Sequence, residues 1–115
     1  MRHYLIELGT GTDLHKPDAT KCAVRAVRDA IGRCSMVGLF ECGLVTDIQQ
    51  MTVKVKIGVP FPDQVDTEAV AREIPYGQSE IEVVPGGLLE EGSRRRDGSR
   101  DKVMVAVAAI TVMVP

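Results

Sequence analysis

The chain has 115 residues, enough for one domain (1–115) with a single core and too few for the several domains of a large enzyme. At 44% hydrophobic and 26% charged residues it has the composition of a folded globular protein rather than a disordered one. A formal charge of -2, no Trp, two Tyr and two Phe argue against a nucleic-acid binder, which needs a basic surface and stacking rings.

In chain order, HYLIEL (3–8) alternates as a strand, with Tyr4, Ile6 and Leu8 on one face and His3, Leu5 and Glu7 on the other. The stretch GTGTDLH (9–15) then reads as a strand exit, and DATKCAVRAVRDAIGRC (18–34) as a helix capped by Asp18. The helix stripe is Cys22, Ala23, Ala26, Val27, Ala30, Ile31 and Cys34, with Lys21, Arg25, Arg28 and Arg33 on the solvated side. Residues 35–50 have no steady period and read as a loop with one short helical turn. MTVKVKIGVP (51–60) is a strand with Met51, Val53, Val55 and Ile57 inward. A second helix starts near Asp66, with Val65 and Val70 as a hydrophobic staple, and stops at Pro75. SEIEVV (79–84) is a third strand, and residues 85–101 form a long polar loop. KVMVAVAAITVMV (102–114) is the fourth strand. Its apolar run is short of the roughly 20 residues of a membrane helix and rich in β-branched residues, so no membrane span is expected.

The expected class is therefore α+β, in the order β-α-β-α-β-β, with two helices on one face of a four-stranded mixed sheet. The fourth strand is apolar on both faces and belongs in the middle. Lys54 and Lys56 complement Glu80 and Glu82, which makes strands two and three neighbours. Strand order 1-4-2-3 satisfies both. Two helices cover only one face of such a sheet, and the apolar other face predicts a homo-oligomer, a trimer or a multiple of it. Three cysteines without a C-x-x-C spacing fit a reducing, cytoplasmic setting.

Gly9, Gly11, Asp13 and His15 carry the chemistry. The glycines permit a sharp turn or the close approach of a ligand. In extended chain Asp13 and His15 face the same side and converge on one divalent metal ion, or on a substrate with His15 as general acid or base; the bland alternative is turn and capping hydrogen bonds. Leu14 breaks a dinucleotide fingerprint. Gly86 and Gly87 after Pro85 offer a nest of backbone N–H groups for an anion, against the default of a loop start. Arg94, Arg95, Arg96 and Arg100 of SRRRDGSR offer phosphate binding, against the default of a solvated charge run.

IELGTGTDLH with its following helix resembles the Lin family of uncharacterised bacterial proteins, marked by G-x-G-x-D-x-H-G. The similarity extends through VKVKIGVPFPDQVD, IPYG and EVVPGGL, with Lys16 standing where the motif ends in glycine. IELGTGTDLH is also similar to the start of methylerythritol cyclodiphosphate synthase. That resemblance implies metal binding by Asp13 and His15 and a trimeric chorismate mutase-like (Bacillus type) fold with sites between subunits. Arg25 stands where the synthase has a histidine, so the resemblance places Asp13, His15 and Arg25 together around a small anionic ligand. The function expected is binding of a small anion or divalent metal at a subunit interface, enzymatic or not; the alternative is a non-catalytic ligand-binding or assembly protein.

Overall fold

Alternation carries the first strand past its apolar run. In the computed structural model, which describes residues 1–115, strand β1 spans Arg2–Asp13 and absorbs the GTGTD stretch. Helix α1 (Ala19–Ile31), a one-turn helix α2 (Gly38–Glu41), strand β2 (Thr52–Val59), a short helix α3 (Thr67–Ala71), strand β3 (Gln78–Pro85), strand β4 (Leu88–Arg94) and strand β5 (Arg100–Val114) follow. The fold is α+β with a mixed five-stranded open sheet. Its strands lie in the order β1-β5-β2-β3, with β4 paired to β5. β5 runs antiparallel to β1, β2 and β4, while β2 and β3 are parallel and joined across α3. Lys54 faces Glu80 and Lys56 faces Glu82 across the parallel pair.

Two expectations are corrected. The polar segment 85–101 is not a loop: Leu88 to Glu91 pair with Val105 to Lys102, so the sheet has five strands rather than four. Its charges hid the strand because both faces of this hairpin are largely exposed, and exposed strands need no apolar alternation. The second long helix shrinks to Thr67–Ala71, where Asp66 caps the Glu68 and Ala69 N–H groups. Beyond it Glu73 and Ile74 make tighter bonds to Val70 and Ala71 as the chain nears Pro75.

The core lies between α1 and the sheet. Cys22, Ala23, Ala26, Val27 and Ala30 are buried against Val53, Val55, Ile57 and Val59 of β2 and Met104, Ala106, Ala108, Ile110 and Val112 of β5. The small helix residues let α1 approach closely, and β1 answers with its two glycines. A Cβ on Gly9 would run into the Ala26 carbonyl oxygen, and one on Gly11 into that of Cys22. Gly9 and Gly11 are thus explained by helix-on-strand packing within β1, not by a turn at its exit.

A register shift between His3 and Leu5 changes which side chains share a face. Leu5 and Tyr4 pack on the core, whereas Ile6 and Leu8 are 63% and 68% exposed. Leu8 lies opposite Ala109, Thr10 opposite Val107, and Leu88 opposite Val105, so these side chains occupy the sheet face that α1 does not cover. No helix is long and apolar enough to cross a membrane. The longest dimension is 60 Å, against 24 and 18 Å across, because the β4–β5 hairpin projects beyond β1.

Candidate functional site at the foot of the hairpin

The strand ends at Asp13, and this decides where the motif side chains go. Residues 15 and 16 form a bend, with Lys16 at φ +46°, in the left-handed region that glycine occupies without strain. The i, i+2 argument that aims Asp13 and His15 together needs extended chain through residue 15, so it fails here. The two side chains take different partners.

Asp13 is buried and accepts the Asp18 N–H at 3.1 Å, which fixes the cap residue of α1. Asp18 in turn accepts the Lys21 N–H at 3.1 Å. The Arg25 guanidinium lies 3.8 Å from Asp13 and donates to the Thr12 carbonyl. Arg25 belongs to a row with Asp29 and Arg33 along one side of α1. Asp29 accepts the Thr10 N–H at 2.8 Å, and Arg33 donates to the Leu8 carbonyl. These side chains satisfy the open edge of β1, a protection against strand-to-strand aggregation.

His15 turns instead to β5. Its Nδ1 is 3.0 Å from Asp101 Oδ2, while its ring is 73% exposed. Asp101 also accepts the Lys16 N–H, an Arg95 N–H from the hairpin turn and its own neighbour Lys102 N–H, each at 3.0 Å. The Lys16 amide chiefly, then His15, and with them the Lys102 amide and Arg95, hold the Asp101 carboxyl well below the usual carboxylate range. A carboxylate so satisfied is a fixed anchor, which orients the imidazole with Nε2 toward solvent.

Asp101 is the residue that sequence reasoning missed, whereas Arg95 is one of the loop arginines it weighed for phosphate binding. Both lie in a charge run, and only the strand pairing of the hairpin brings Asp101 back to Lys16 across 85 residues of chain. Gly86 and Gly87 sit elsewhere, at the corner where the chain leaves β3 for β4. Gly87 has φ +67°, and a Cβ there would strike the Val105 carbonyl oxygen, so the corner needs glycine for backbone packing. No group of three or more His, Cys, Asp and Glu side chains is placed to hold a metal ion. Asp13 and His15 each have another partner, and a guanidinium occupies the third place, so this donor set does not fit a divalent metal.

The fold and site define a small α+β sheet protein with an Asp-anchored histidine at the foot of a projecting hairpin. The chain belongs to the family described as conserved hypothetical protein (Lin0512_fam), which matches residues 3–112. It is similar to an FtsZ-like protein of unknown function from Nostoc punctiforme PCC 73102, known from a crystal structure at 1.22 Å resolution. The two are 33% identical with a TM-score of 0.86, over 96% of this chain and 93% of the other. The comparison with curated proteins finds no match.

Proposed function

We propose that the protein binds a small anion, a phosphate or carboxylate group of a metabolite, at the junction of the β1–α1 turn with the β4–β5 hairpin. The observation that carries this is the Asp101 anchor. It draws His15, Lys16 and Arg95 from two distant segments into one exposed cluster while being itself fully hydrogen-bonded. His15 Nε2 and the side chains of Lys16, Arg95 and Arg25 are then the groups that meet the ligand. Where the ligand reacts, His15 is the general acid or base and Asp101 its positioning partner. Inorganic phosphate titrated into the purified chain tests this. Saturable binding that weakens at least about tenfold in His15→Ala supports it, since a hydrogen bond to a charged group contributes roughly 1.5–3 kcal/mol. Binding of manganese or zinc with no response to phosphate favours the metal reading instead.

The proposal includes self-association through the uncovered sheet face, as a trimer or a multiple of it in a chorismate mutase-like (Bacillus type) arrangement. Ile6, Leu8, Val107 and Leu88, all more than 40% exposed on one face, support it.

A further inference from the structure

We infer that a second pocket, at the other end of β1 from Asp13, binds a short aliphatic chain carrying a protonated amine. The pocket lies between the C-terminal end of α1 and the sheet, with a volume of about 70 Å³. Its walls are apolar, among them Leu5, Ile31, Val53, Ile74 and Val112, and Glu7 is the one charged residue in them. Glu7 is half-buried, and no cation of the chain lies within ion-pair distance of it.

Glu7 borders this apolar wall without a cationic partner, so a bound ammonium group is complementary to it. The neighbouring groups do not supply that cation. Cys34 lines the same pocket, and burial first, then the Glu7 carboxylate, push its thiol up, which leaves it neutral and a weak donor. The size of the pocket limits the apolar part of the ligand. A dry cavity of about 150 Å³ accepts benzene, so about half that volume takes a chain of about four carbons. Charge selects the head group: an amine is complementary to Glu7, an alcohol is neutral to it and a carboxylate is repelled.

The test is a titration of the full chain with n-butylammonium, 1-butanol and butyrate, followed by the methyl resonances of Ile31, Val53 and Ile74. The inference expects saturable shifts with n-butylammonium, at least about tenfold weaker binding of 1-butanol, and none of butyrate. Glu7→Gln is expected to remove the preference for the amine and to leave 1-butanol binding unchanged, while Leu5→Phe, which fills the pocket, abolishes both. Equal responses to the three probes, or no saturable response of the wild type to n-butylammonium, overturn the inference without recourse to any variant. A folded Glu7→Gln chain that still prefers the amine overturns it as well.

Discussion

Lys16 shows how one backbone angle ties the turn to the hairpin. Its N–H donates to Asp101 while the residue adopts φ +46°, which costs a non-glycine residue about 1 kcal/mol. Lys16→Gly keeps that N–H and removes the strain, against some added chain entropy. It is expected to raise stability by about 0.5 kcal/mol in urea unfolding, with the loss of any Lys16 contribution to anion affinity. Asp101 makes a matching prediction in pH. Its carboxyl titrates lower in the folded chain than in the unfolded one, so its stabilisation is complete above the ordinary carboxylate value of about 4 and fades as pH falls below it toward the folded value. The slope of stability between about pH 4 and pH 2 should flatten in Asp101→Asn, measured by denaturant midpoints. At the alkaline end burial pushes the Cys22 thiol up to about 11. The unfolded thiol loses its proton earlier, so stability should fall from about pH 9 to pH 11, and less steeply in Cys22→Ala.

At the scale of elements, the pairing of α1 with β1 explains the glycines that dominate the motif. Gly11→Ala places a methyl against the Cys22 carbonyl, so the helix must shift, and about 2–3 kcal/mol of destabilisation is expected. A ligand cradle would instead lose affinity at unchanged stability, and thermal melts with and without phosphate distinguish the two. The strands with a buried face were legible because alternation survives wherever one side meets the core, as in Val53, Val55 and Ile57. The Lys54–Glu80 and Lys56–Glu82 rungs were legible because opposite charges on one face mark neighbouring strands. β4 was not legible, since neither face of the hairpin is held to one polarity. For the same reason Asp101, the centre of the site, looked like one more charge in a run. Only the pairing of β4 with β5, a contact of strands rather than of pattern, raises it from loop to anchor. Hydrogen exchange should show the alternate β4 amides that face β5 protected and those of Arg96 and Asp97 open; free exchange through the whole segment would return it to a loop.

For the whole molecule, the covered and uncovered sheet faces differ in what they must do. One holds the core against α1; the other leaves Ile6, Leu8, Val107 and Leu88 in water unless a second copy meets them. Sedimentation at micromolar concentration should find an oligomer, and Leu8→Glu with Val107→Lys should convert it to a folded monomer. A wild-type monomer would remove self-association from the account while leaving the hairpin site intact. That site is the central claim, because it joins the first turn of the chain to the last strand through one carboxylate. The most direct measurement is the ¹⁵N spectrum of the His15 ring during a titration with inorganic phosphate. The account predicts a saturable shift at Nε2 that weakens at least about tenfold in Asp101→Asn, since the freed ring loses its orientation. An Nε2 signal that phosphate leaves unmoved, or an equal response in Asp101→Asn, would contradict it.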